Sequence, residues 1–137
     1  LGDVYKRQVL DGLVYCPGSI NLKPLQRLST DDFLADFNLN LLGAVRTIKA
    51  TLKHLRKSEL GASIVLFSTV AVQTGMALHA SVASAKGAVE GLTRSLAAEF
   101  APRIRVNAIA PSLTDTPLGK IFYLPMRNEM QRQSNIP

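Results

Sequence analysis

The chain has one cysteine, no tryptophan, few aromatics and no long apolar run, and each shortage excludes something. Cys16 stands alone among 137 residues, so there is no disulfide framework, and a reducing cytoplasm is the default compartment. No apolar stretch is long enough for a bilayer and no signal-peptide pattern is present, so no membrane partner is expected. The net charge of +6 is spread along the chain. Its one cluster, "KHLRKSE" at 53–59, falls where a helix would end, and cations there complement the helix dipole. With no aromatic interleaving, no nucleic-acid partner is expected either. No metal-ligand set, internal repeat or low-complexity segment stands out. What remains is 47% hydrophobic and 19% charged, the balance of a soluble globular protein with enough chain for one core.

The two ends read differently from the middle. Leu1 opens the chain, and "LGDVYKRQ" has no periodicity that joins it to the apolar run after it. "DVYKRQ" reads as the in-frame translation of a transposase adapter used in DNA library preparation, so residues 1–8 are set apart from the fold. Residues 9–137 are read as a fragment of a single domain, ending at "QRQSNIP" without a stop pattern.

Between the ends, apolar periodicity predicts alternating strands and helices. Residues 10–16, "LDGLVYC", form a short apolar run before Pro17 and Gly18, the pattern of a buried strand entering a turn. "LSTDDFLADF" announces a helix: Ser29 or Thr30 can cap it, and Asp31 and Asp32 fall in its positive first turn. Phe33, Phe37, Leu41, Ala44, Ile48, Leu52 and Leu55 recur by fours and threes, giving one apolar side, and Gly61 is a suitable end. "ASIVLFST", 62–69, is a β-branched run suited to a strand covered on both faces. A second helix, from about Ser81 to Phe100, carries Ala85, Val89, Leu92, Leu96 and Phe100 and stops before Pro102. "IRVNAIAP", 104–111, is a third strand, and the tail reads as loop followed by a short helix. Strand, helix, strand, helix, strand implies parallel pairing in an α/β layer fold. Ligands in such sheets bind beyond the carboxyl ends of the strands, here near 15–18, 68–70 and 111–116.

Five blocks, in register, resemble the short-chain dehydrogenases/reductases, Rossmann enzymes that use NAD(H) or NADP(H). "DGLVYCPG" at 11–18 is similar to the family's D-x-L-V-N-N-A-G, and "NLLG" at 40–43 to its N-L-x-G. "SIVLFST" at 63–69 is similar to its strand ending in I-S-S. "SAKGAVEGLTRSLAAEFAP" resembles the helix behind Y-x-x-x-K, and "IRVNAIAPSLTDTP" the segment I-R-V-N-x-x-x-P-G-x-x-x-T-P. The resemblance implies a three-layer parallel Rossmann fold, truncated here. The family's glycine-rich turn and the residue that selects NAD or NADP have no counterpart in this register, nor does the segment that completes the substrate lobe. Tight cofactor binding by the chain alone is therefore not expected.

The same resemblance implies the site. Lys86 would bind the nicotinamide ribose and lower the pKa of a catalytic tyrosine, Asn40 would hold a water in the proton path, and the hydroxyl of Thr69, or of Ser68, would position the substrate oxygen. Cys16, Pro17, Gly18, Ser68, Lys86, Pro111, Ser112, Thr114 and Thr116 would line the cofactor. Departures are explicit: "YCPG" replaces N-N-A-G, with loss of side-chain bonds between strands while Gly18 keeps the tight turn, and Ser112 replaces a glycine. Gly87 and Gly91 would permit close helix packing, and relatives pair these long helices across a homodimer or homotetramer interface.

The largest departure is at Val82, four residues before Lys86, where the family keeps its tyrosine. Loss of a positioned general acid typically costs roughly 10²–10⁴-fold in rate. Tyr5, Tyr15 and Tyr123 are distant in sequence. Ser81 is expected to cap the helix and His79 to be an ordinary residue before it, with each a candidate surrogate acid beside a water ordered by Lys86 and Asn40. Two functions are open: an oxidoreductase with an altered proton donor, acting on a small carbonyl, alcohol or enoyl substrate, or a non-catalytic NAD(P)-binding protein.

Overall fold

The computed structural model describes residues 9–114 and Thr116. The readings of 1–8 as adapter, of Tyr5 and Tyr123, and of a short helix in the tail lie outside them. Three parallel strands, β1 (Gly12–Val14), β2 (Ala62–Phe67) and β3 (Ile104–Ile109), pair in sequence order. Gly12 is in register with Ser63, and Ala62 with Ile104. A 3₁₀ turn, Leu25–Arg27, precedes a helical rod made of α1 (Thr30–Phe37), a π-helical turn (Asn38–Leu42) and α2 (Gly43–Leu55). The short α3 (Ala71–Thr74) and the long α4 (Ala80–Phe100) connect β2 to β3. Both crossovers run the same way across the sheet. Right-handed connections of that kind put their helices on one face.

The core forms between that face and the helices. β2 buries Ala62, Ile64 and Leu66 while Ser63, Val65 and Phe67 are half-buried, the period-two pattern of a strand with one fully covered face. Ala44, Ile48 and Leu55 of α2, Val89 and Phe100 of α4, and Ile104 and Val106 of β3 complete the cluster. The described residues thus supply the sheet and one helical layer of the expected fold.

Several expectations need correction. The strand expected over 10–16 is ordered only at Gly12–Val14, and Val14 is 58% exposed rather than buried. Its ladder runs along one edge only, against β2, and nothing among the described residues covers the other. The strands expected over 62–69 and 104–111 end earlier, at Phe67 and Ile109, because both chains turn there into loops. The first helix stops at Leu55, not Gly61; Gly61, with φ of 80°, makes the turn into β2 instead.

The rod's N-terminus follows its sequence closely. Ser29 Oγ accepts from the Asp32 amide at 3.2 Å, and Asp32 Oδ2 accepts from the Ser29 amide at 2.9 Å, a reciprocal capping box. Lys23 Nζ lies 2.8 Å from Asp32 Oδ1. That ammonium, with the Ser29 amide and Asn21, holds the Asp32 carboxyl well below the usual carboxylate range.

The π-helical turn has a visible neighbour. Tyr15, at the end of β1, lies over the rod at Gly43 and donates its hydroxyl to the Leu39 main-chain oxygen at 2.7 Å. Only glycine leaves room there, since a Cβ at position 43 would collide with the Tyr15 hydroxyl and lie 3.1 Å from its Cζ. The strand-joining bonds lost with "YCPG" are therefore accompanied by a strand-to-helix bond in their place.

Candidate active site

Parallel strands bring the ends of β1, β2 and β3 to one edge, and α4 carries Lys86 beneath it. Lys86 is 9% exposed, and its Nζ donates to the Phe67 main-chain oxygen at 2.8 Å, at the last residue of β2. The ion pairs among the described residues join Lys23 to Asp32 and Arg94 to Glu90, so neither reaches it. Burial therefore lowers the pKa of Lys86.

Asn40 occupies the middle of the π-helical turn and is 1% exposed. Its Nδ2 donates to Ser19 Oγ at 3.0 Å and to the Asp36 main-chain oxygen at 2.9 Å. Its Oδ1 is buried with no hydrogen-bond partner among the described residues. Gly18 connects the two groups: a Cβ there would lie 3.4 Å from Asn40 Oδ1 and 3.5 Å from Lys86 Nζ. The glycine thus leaves a small space bounded by an orphan acceptor and an ammonium. Its backbone is not among the positive-φ residues, so a Cβ there would meet these two polar atoms at ordinary contact distance and fill the space between them.

The two hydroxyls after β2 point apart, as successive residues of an extended chain do. Ser68 is buried and donates to Glu90 Oε1 of α4 at 2.6 Å. Thr69 is half-buried, and its Oγ1 accepts from the Ala71 amide at 3.3 Å. The ends of β2 and β3 are laced by Ser68 N to the Ile109 oxygen at 2.7 Å and Val70 N to the Pro111 oxygen at 3.2 Å. Cys16, Pro17, Ser112, Thr114 and Thr116 are exposed along the same edge, with Thr114 Oγ1 donating to the Ser112 oxygen at 3.2 Å. Gly18, Asn40 and Lys86 are thus brought together, Ser68 is buried against α4, and the others lie along the rim.

Val82 is 5% exposed. The two neighbouring candidates for its missing acid are otherwise engaged. His79, half-buried, stands at the N-cap position just before α4, and its Nδ1 lies 2.6 Å from the Ala77 oxygen. Ser81, expected as the helix cap, is not one; it lies inside the first turn, fully buried, with its Oγ donating to Asp36 Oδ2. Gly91 has open space beyond its Cα and Gly87 would make only ordinary contact with Val72, at 3.6 Å, so neither is required by packing within this chain.

Sequence reasoning passed over Asp36, Ser19 and Tyr15. One signal was available: Asp36, Asn40, Ala44 and Ile48 recur every four residues, and all four are buried. Two polar residues on that stripe mark a buried polar cluster.

The parallel sheet with its helical crossovers on one face defines a class of fold, the Rossmann type built from consecutive strand–helix units. The family described as Enoyl-(Acyl carrier protein) reductase matches residues 4–137, and the chain belongs to it, within the short-chain dehydrogenases/reductases, a family of nicotinamide-dependent oxidoreductases. Hydroxynaphthalene reductase arp2 of Aspergillus fumigatus is 36% identical over 104 residues, which cover 75% of this chain and 37% of that protein. A short-chain dehydrogenase from Pseudomonas syringae superposes with a TM-score of 0.80 at 30% identity, over 88% of this chain and 49% of that one. ElxO, solved with NADP bound, superposes with a TM-score of 0.78 at 34% identity, over 91% of this chain and 51% of that one. The chain therefore spans about half or less of the length of these relatives. No helix among the described residues is long and apolar enough to cross a membrane.

Proposed function

We propose that the full-length protein is an oxidoreductase that moves a hydride between NAD(H) or NADP(H) and a small carbonyl, alcohol or enoyl substrate. The observation that carries this is the buried, unpaired Oδ1 of Asn40 facing the same small space as Lys86 Nζ. An orphan buried acceptor is costly unless something uses it. An acceptor and a cation around a space of that kind suit a bridging water.

The nicotinamide supplies the hydride when bound, and Lys86, Gly18 and the rim residues from Cys16 to Thr116 are the groups offered to hold it. The chain's own residues handle the proton. In reduction, the substrate oxygen takes a proton from the water between Asn40 and Lys86, and the Lys86 ammonium replaces it, becoming a neutral amine. Burial already disfavours the charged amine, so this transfer is easier than from an ordinary lysine. Thr69, whose Oγ1 accepts from the Ala71 amide and keeps its own hydrogen to give, orients the substrate oxygen. Water thereby takes the place of the absent tyrosine at Val82. The oligomer is a homodimer or homotetramer, and Leu34, Leu39 and Leu42, exposed along the rod, offer it an apolar face.

The test is made on the full-length protein: titration with NADH and NADPH, then turnover of carbonyl, enoyl and alcohol substrates. Lys86→Ala is expected to lower turnover roughly 10²–10⁴-fold with the far-UV circular dichroism unchanged. Val82, apolar and buried, favours a second reading, a non-catalytic NAD(P)-binding protein. Tight cofactor binding with no turnover of any substrate would establish that one, and absence of binding would sink both.

A further inference from the structure

Asp36 is 2% exposed on the helical face that otherwise carries the core, where an unpaired carboxylate is among the costliest groups to bury. A carboxylate offers only acceptors, and a hydroxyl has a single hydrogen to give. Ser19 gives its hydrogen to Asp36 Oδ1 at 2.6 Å, and Ser81 gives its own to Asp36 Oδ2. With its hydrogen committed, Ser19 can meet Asn40 only as an acceptor, and Asn40 Nδ2 donates to it at 3.0 Å. The amide's second hydrogen goes to the Asp36 main-chain oxygen. The nitrogen side of Asn40 is thereby filled, and Oδ1 is the atom left facing Gly18 and Lys86.

We propose that Asp36 is a positioning residue, whose carboxylate sets the direction of the chain Asn40→Ser19→Asp36 and so makes Asn40 present an acceptor, not a donor, toward Lys86. This rests on the reading of Lys86 and Asn40 as the working pair of the site. Ser81 fixes the other carboxylate oxygen from the first turn of α4, one turn and a half before Lys86, and so ties the network to the helix that carries the lysine. Without the carboxylate, the Ser19 hydrogen is free to seek another acceptor, and the Asn40 amide loses half of what orients it. An amide that turns its NH₂ toward Lys86 faces donor to donor and withdraws support from the ammonium. The charged or titratable side chains other than Lys86 on these elements are Tyr15 and Cys16 just after β1, Asp31, Asp32 and Asp36 on α1, and His79, Glu90, Arg94 and Glu99 at and within α4. Asp32 is engaged with Lys23, and Glu90 with Ser68 and Arg94.

The experiment tracks the Lys86 side chain itself, by NMR titration of its Cε and Nζ in the full-length protein, and so does not depend on turnover. Asp36→Leu is expected to lower the Lys86 pKa by about one unit, tenfold in proton affinity, and Asp36→Asn, the variant closer in shape, to lower it in the same direction. Loss of a buried charge alone would also do this, so Ser19→Ala is decisive. It keeps the charge and breaks the relay. A downward shift in Ser19→Ala that disappears in an Asn40→Leu background supports the proposal. An unmoved Lys86 in Ser19→Ala, or a Ser19 effect that persists without Asn40, overturns it. If Lys86 shifts as expected in a protein that turns over nothing, the positioning stands and the oxidoreductase reading alone fails.

Discussion

Lys86 is where the chemistry of single residues is most exposed to test. Its pKa is lowered from 10.5 by burial, while in the unfolded chain it keeps the ordinary value. Between the lowered folded value and 10.5, the unfolded chain holds a proton that the folded chain has released, so stability rises with pH across that window. Below it both states are charged, and the folded state bears the full cost of burying the ammonium. Lys86→Met removes this term. The variant is expected to be more stable than the parent near neutral pH, with the gap narrowing as the pH approaches about 10; urea denaturation at several pH values measures it, and a constant gap would contradict the assignment. Lys86 and Asn40 were legible from the sequence because their neighbours match a family pattern. Asp36 was not, because a buried aspartate and a solvated one look alike until the partner hydroxyls of Ser19 and Ser81 are brought to it from 17 and 45 residues away.

The helical rod shows how an element can differ from its own periodicity. Apolar spacing predicted one uninterrupted helix, and caps and ends were readable at Ser29 and Asp32. The π-helical turn at Asn38–Leu42 was not, since its neighbour is the ring of Tyr15 on a different element. π-turns inside α-helices are frequent at functional sites, and here the turn carries Asn40. Gly43→Ala tests the packing. Alanine is the better helix former by about 1 kcal/mol, yet with Tyr15 in place the substitution is expected to destabilise by about 1–3 kcal/mol through overpacking. In a Tyr15→Ala background the sign should reverse. Denaturation of the four proteins of this cycle measures the coupling, and stabilisation by Gly43→Ala in both backgrounds would show that the ring does not occupy that space.

At the scale of the whole molecule, three parallel strands and one helical layer leave β1, among the described residues, with an unpaired edge and Val14 exposed. An unpaired parallel edge is unusual, because such sheets are normally covered. The relatives are about twice as long, and no glycine-rich pyrophosphate turn is present in the five matching blocks. The 137-residue chain alone is accordingly expected to transfer no hydride with NADH or NADPH, while the full-length protein does; turnover by the isolated chain, measured by cofactor absorbance, would refute this.

By itself the sequence determined the order of elements, their parallel pairing, the capped start of the rod, and the identity of Lys86 and Asn40 as a candidate pair. These depend on periodicity, on local hydrogen bonding and on motif spacing, all carried within a few tens of residues. Only the tertiary structure decided that Gly18 leaves a space between that pair, that Ser81 is a buried donor and not a cap, and that Asp36 closes the network. Those features depend on where a hydroxyl hydrogen or an amide oxygen points. That direction is set by groups brought together from the loop after β1, the rod and α4, which lie far apart in the chain.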